Sequence, residues 1–222
     1  MWSSDLHLHE QILLLALHDD NGTLHPSMFG FALAGGLAAE LLTRGALGVR
    51  QNGRDEVVFV AKPILLRDRL LDESLELVAT SNRPMNLAGW IGQFAAIKRL
   101  KDRVAEGLCE RGIVKRAENR VMWVFPRVVY PTADPAPERR LVQQIERTIT
   151  ADAEPDPRLA TLIALAHVTG ILRYVVSEHI LQTRRSRVGE LVLHDAAATA
   201  AKSTIASAGS IIDFAHQAVT SS

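Results

Sequence analysis

The sequence predicts a mainly α fold: a compact helical domain carrying one or two β-hairpins, one of them protruding. Three observations point there. Apolar residues recur at helical spacing along most of the 222 residues. Two pairs of short apolar runs flank turn-forming residues, as hairpins do. No regular alternation of strand and helix runs through the chain, which argues against a parallel-sheet enzyme. The length allows one large domain or two small ones, and residues 1–222 read as a single domain with no internal repeat.

Each element has a local reason. Glu10–Leu17 is a short apolar helix ending at the turn His18-Asp-Asp-Asn-Gly22, and Met28–Arg44 is an Ala/Leu-rich helix with Gly45 placed to cap it. Leu47–Arg50 and Glu56–Val60 flank Gln51-Asn-Gly-Arg54, and Asn-Gly between apolar runs is a strong hairpin signal. Ile64–Thr80 reads as one helix, with Leu71, Leu75 and Val78 inward and Asp72, Glu73 and Glu76 outward. Asn86–Glu110 carries a further helix with a break expected near Gly92. Tyr130–Pro137 holds three prolines in eight residues and reads as a linker into a polar amphipathic helix, Glu138–Ile149. Asp156-Pro157 is a strong helix start, opening a buried helix to about Val176. Arg184–Leu193 turns from basic to apolar, and Ala196–Val219 reads as a last Ala/Ser-rich helix.

Composition limits function. The chain is 47% hydrophobic and 23% charged, ordinary for a globular protein, and its 25 basic and 25 acidic residues balance. Any anion binding must therefore be local rather than global. The single cysteine, Cys109, excludes an intramolecular disulfide framework and a cysteine-based zinc site, and fits a reducing cytosol. No signal peptide is expected, since Asp5 and Glu10 interrupt the start. The most apolar stretch, Leu159–Leu172, has 14 residues, where a bilayer span needs about 20. Contact with a membrane would be peripheral.

The most informative stretch is Lys98–Arg127, with nine Lys/Arg against four Asp/Glu in an otherwise neutral chain. It reads as an amphipathic helix with Ile97, Leu100, Val104 and Leu108 as its apolar stripe, a stop at Arg111-Gly112, and a hairpin. The hairpin is expected to leave along Ile113–Ala117, turn near Glu118-Asn119 and return along Arg120–Pro126. Arg99 and Arg103 share the outer helix face with Glu106 and Glu110, an ion-paired surface. Lys98 and Lys101 lie on the other flank, near Asp102 alone, and read equally as a solvated rim or an anion seat. Met122, Trp123 and Phe125 read equally as half-buried packing or as an exposed ribbon rimmed by Lys115, Arg116, Arg120 and Arg127.

Motifs for chemistry are sparse. The sequence has no phosphate-binding glycine loop and no nucleophile elbow, so no catalytic residue, cofactor or metal site is assigned. His7 and His9, two apart on a helix, are expected to point to different sides, and His167 reads as a hydrogen-bonded core histidine.

With these signals placed, the chain resembles the Golgi phosphoprotein 3 family in its shorter, bacterial form. The matching elements are Leu13-Leu-Leu-Ala-x-x-Asp-Asp-x-Gly22, Ala39-Glu-Leu-x-x-Arg-Gly45, Leu70-Leu-Asp-Glu-x-Leu75, Glu110-Arg-Gly-Ile-Val114, Tyr130-Pro131, Asp156-Pro-Arg158 and Leu162–His167. The resemblance implies a peripheral membrane protein that binds phosphatidylinositol 4-phosphate or another phosphoinositide, recruits cytosolic tails of membrane proteins as an adaptor, and self-associates. In the family, a tryptophan and several arginines form the headgroup pocket. Two of those arginines fall on Lys98 and Lys101, a third near Ala34, and the tryptophan in the loop Thr23–Met28, which offers His25. The headgroup candidates are therefore Lys98, Lys101, Arg44 and His25, with Val121, Met122, Trp123 and Phe125 as the hairpin for membrane insertion or self-association. Anionic membrane lipid and further copies of the chain are the expected partners, on the cytoplasmic face of a membrane.

The residues alone leave two other classes open. One is a winged-helix-like nucleic-acid binder, with Lys115, Arg116 and Arg120 contacting phosphates. The acids Asp102, Glu106 and Glu110 on the preceding helix argue against it. The other is a structural module that self-associates through the hairpin.

Overall fold

The fold is built around a helix that is apolar on every side. The computed structural model describes residues 6–17, 26–53, 55–121, 125–151 and 156–194, with backbone alone at 26–28, 119–121, 125–127 and 193–194. Helix α2 (Pro26–Thr43) buries Ala32, Leu33, Ala34, Leu37, Ala38 and Leu41 completely. A helix hydrophobic all round must be surrounded. Helix α1 (Leu8–Ala16), buried at every position, packs along it. The two backbones approach so closely at Gly36 that an added Cβ would lie 2.8 Å from His9 Cα. Helices α3 (Arg69–Thr80), α4 (Leu87–Ala95), α5 (Leu100–Glu110) and α7 (Pro157–Val168) also pack on α2. Helix α6 (Ala136–Thr150) packs on α1 through a stripe of Leu141, Ile145 and Ile149, and α10 (Arg185–His194) packs on α7.

Helix ends follow from local chemistry. Gly45 (φ +67°) and Gly112 (φ +70°) take the left-handed backbone that ends α2 and α5. In each case the glycine N–H and the next N–H bond back into the last turn, Gly112 to Cys109 and Ile113 to Leu108. Asp68 caps α3 by accepting from the Leu70 and Leu71 amides, Asn86 caps α4, and Asp156 caps α7.

Several expectations need correction. The stretch Ile64–Thr80 is not one helix: α3 starts at Arg69, and Ile64–Asp68 is irregular. Asp68 takes the first amides of α3, and Arg67 just before it has φ +59°, which no α-helix accommodates. The break in Asn86–Glu110 falls at 96–99 rather than near Gly92, with Arg99 at φ +56°. The buried helix expected to reach Val176 stops at Val168, where Gly170 (φ +76°) turns the chain into a short α8 (Leu172–Val175). A short helix, α9 (Glu178–Thr183), precedes α10 and has no counterpart in the sequence reading. His167 is exposed at the end of α7 rather than in the core, because the buried run ends at Ala166. The loop 18–25 and the expected last helix from 196 lie outside the described residues.

Both hairpins form. Strands β1 (Leu47–Asn52) and β2 (Asp55–Val60) pair antiparallel with Asn52 opposite Asp55, and Gly53 (φ +68°) makes the turn. This hairpin lies on α3 and α4. Strands β3 (Ala117–Val121) and β4 (Phe125–Val129) pair with Val121 opposite Phe125. The chain therefore reverses between those two residues and not at Glu118-Asn119. The register is set at the base, where Val114 bridges Thr132 and the Lys115 amide donates to the Pro131 carbonyl. Once those residues face each other, Glu118 and Asn119 fall inside the ladder. Among the described residues the second hairpin pairs chiefly with itself, and Val128 of β4 packs partly buried against the core.

Candidate functional site

The turn from α4 into α5 gathers the cations singled out in the sequence. Ile97 and Leu100 are buried and anchor it, and the residues between them face outward. Arg99 occupies the cap position with left-handed backbone and no side-chain cap, and the acid in the first turn of α5 is Asp102. The Arg99 guanidinium reaches Asp102 at 3.4 Å and Glu106 at 3.1 Å. Arg103 pairs with Glu73 of α3. Asp102 also accepts from the Tyr130 hydroxyl at 3.1 Å. Burial and the facing Asp102 push that phenol up to about 12. Lys98 is exposed and has no hydrogen bond or ion pair among the described residues. Lys101, three residues on, is half-buried and engaged.

The other candidates do not all join this cluster. The start of α2 does approach it, since a Cβ on Gly30 would lie 3.9 Å from the Ala95 carbonyl oxygen. Ala34, one turn further along α2, is completely buried, so the position that would carry a third headgroup arginine belongs to the core. Arg44 lies at the opposite end of α2, about 20 Å from Gly30 at a rise of about 1.5 Å per residue. There its Nε donates to Glu40 Oε1 at 2.7 Å, and its Nη2 sits 3.0 Å from His7 Nδ1. His25, Met122 and Trp123 lie outside the described residues, and Val121 and Phe125 are described as backbone only.

A second charged constellation escaped the sequence reading. His7 is the extended N-cap of α1 and not a helical residue, so its ring swings over His9. The two imidazoles stack with centroids 5.5 Å apart and planes 15° from parallel, correcting the expectation that they diverge. Their Nε2 atoms face Asp68 Oδ2 at 3.9 and 3.7 Å. Burial pushes the Asp68 carboxyl up, but His9, the Leu71 amide and His7 pull it down to about 2. Beside them Glu40, almost wholly buried, accepts from the Leu8 amide at 2.9 Å and pairs with Arg158 at 2.8 Å. Burial opposes its ionisation, yet His7, the Leu8 amide, Arg158 and Arg44 together hold it well below the usual carboxylate range. This cluster borders an open cleft of about 350 Å³, lined also by Arg67 and Arg69, by Arg103, Glu106 and Glu110 of α5, and by Arg111 at the C-cap of that helix. Arg111 pairs with Glu10 at 3.5 Å across it. Among the described residues no group of three or more His, Cys, Asp or Glu is placed to hold a metal ion. The one sequence signal for this cluster was the His7-Leu-His9-Glu10 run; its partners come from distant positions.

Set beside known proteins, the chain matches the family model for Golgi phosphoprotein 3 (GPP34) over residues 8–208. No curated protein matches it. The matched range takes in every helix and both hairpins described above.

Proposed function

The chain belongs to the Golgi phosphoprotein 3 family, and from that premise we propose that it is a peripheral membrane protein binding anionic lipid at the α4–α5 turn. The observation that carries this reading is Lys98, an exposed cation with no ion pair among the described residues, at the start of α5. Lys101 lies one turn along, and the second hairpin follows the same helix. Each Lys or Arg near an anionic leaflet contributes roughly 1 kcal/mol, so the turn alone gives weak, salt-sensitive attachment. Insertion of Met122 and Trp123 would add roughly 2–4 kcal/mol. A phosphoinositide headgroup and an adaptor role toward cytosolic tails of membrane proteins are the finer parts of this proposal. No described helix is long and apolar enough to cross a membrane.

The winged-helix reading is disfavoured by specific contacts. Asp102 and Glu106 stand on the outer face of α5 in ion pairs with Arg99, where a nucleic-acid-binding helix would present free cations. Vesicle flotation tests the proposal. Lys98→Glu with Lys101→Glu, and separately Met122→Asp with Trp123→Asp, should each release the protein from phosphatidylglycerol vesicles without unfolding it. Flotation of both variants equal to the parent at physiological salt would sink the membrane reading and leave the hairpin to self-association.

A further inference from the structure

The irregular segment between β2 and α3 exposes apolar side chains that the fold does not use. Leu65 is 79% exposed and Ile64 39%, and Leu65 is the most exposed large hydrophobic residue described. The segment is held in place at both ends. The Ala61 and Lys62 amides donate to the Ala46 carbonyl, the Ile64 amide donates to the Lys62 carbonyl, and the Leu66 amide donates to Asp72 at 2.8 Å. Leu66 itself is buried, so the chain dips into the core directly after presenting Ile64 and Leu65 to solvent. Arg67 then takes the left-handed backbone that a non-glycine residue adopts at a cost.

Three cations flank this tip, and two of them, Arg67 and Arg69, also line the cleft that holds Glu10, Glu106 and Glu110. Lys62, Arg67 and Arg69 are exposed and have no hydrogen bond or ion pair among the described residues. The one acid between Ala61 and Arg69, Asp68, turns its carboxylate onto the Leu70 and Leu71 amides and toward His9. Two apolar side chains are far too little surface for a stable protein interface, which takes about 800 Å² from each partner. A membrane needs no matching groove, and long basic side chains reach headgroups while neighbouring apolar groups enter the acyl boundary. We propose that the Lys62–Arg69 loop is a second lipid-contact element: Ile64 and Leu65 insert into an anionic leaflet, and Lys62, Arg67 and Arg69 engage its phosphates. This rests on the membrane reading above but assigns a site separate from the α4–α5 turn and its hairpin.

The test compares the parent, Leu65→Asp, and the pair Lys98→Glu with Lys101→Glu on vesicles of equal phosphatidylglycerol and phosphatidylcholine. Leu65→Asp should lower partitioning about tenfold, the loss expected for one exposed leucine that no longer buries, with an unchanged melting temperature. A parent that does not bind overturns both readings. A parent released by the lysine pair but not by Leu65→Asp overturns the loop alone. If Leu65→Asp instead converts a dimer to a monomer in light scattering, the loop belongs to self-association and the proposal fails. Independently, Leu65→Cys in a Cys109→Ser background, labelled with a polarity-sensitive dye, should shift to the blue on these vesicles and not on phosphatidylcholine alone. No shift on the anionic vesicles would also overturn the proposal.

Discussion

Arg158 Nη1 lies 2.8 Å from Glu40 Oε2, so one buried carboxylate ties the first turn of α7 to the last turn of α2. The same carboxylate accepts from the Leu8 amide, which fixes the start of α1. Three elements far apart in sequence thus meet on one side chain. Replacing Glu40 with Gln removes the counter-charge of Arg158 and Arg44, both partly solvated. The expected loss is about 2–3 kcal/mol of unfolding free energy, read from urea denaturation. A loss under about 1 kcal/mol would show the cluster to be marginal to stability.

Acid should unfold the protein through the same cluster. Glu40 and Asp68 both ionise more readily folded than unfolded. Unfolded carboxylates titrate near pH 4, so their contribution is fully present above about pH 5 and falls as pH drops toward the folded values. For Asp68 that loss completes near pH 2. Urea midpoints should decline below about pH 4, with a shallower decline in Glu40→Gln. An identical slope in the variant would contradict the assignment.

Gly36 and Gly112 should respond differently to alanine. At Gly36 the new Cβ would meet the His9 backbone at 2.8 Å, so α1 and α2 must separate. That should cost about 1–3 kcal/mol or more. At Gly112 no atom of the described residues lies within 4 Å, and the penalty is that of the positive φ alone, about 1 kcal/mol. Thermal melts of the two variants check the order, and a reversed order would mean the α1–α2 contact is looser than described.

Headgroup discrimination should be poor. Lys98 and Lys101 are point charges without the bidentate fork of arginine, and Ala34 sits in the core where no third cation can reach. Binding to phosphatidylinositol 4-phosphate and to phosphatidylglycerol should therefore be similar once vesicle charge is matched. Strong preference for the phosphoinositide in a matched flotation series would contradict this.

What the sequence determined by itself was local. The caps at Gly45, Gly112 and Asp156-Pro157 were legible because a helix end is decided by the backbone and side chains within one turn. The stripe Ile97, Leu100, Val104 and Leu108 was legible because helical periodicity needs no partner to be read, and all four residues are buried. Lys98 and Lys101 could be singled out from charge and spacing, and the family could be recognised from motifs in order. Tertiary structure decided the rest. The turn of the second hairpin moved past Asn119 because Val114 and Thr132 are paired at its base. Ile64–Asp68 left the helical pattern because Asp68 and Asp72 bind amides along and just after it. Arg44 was drawn to Glu40 and away from Lys98 by the length of α2. His7 and His9 stack because Asp68, from the start of another helix, faces both rings. The contacts of His7 and His9 with Asp68, and of Glu40 with Arg158, join residues tens of positions apart, and no window of local periodicity contains both partners.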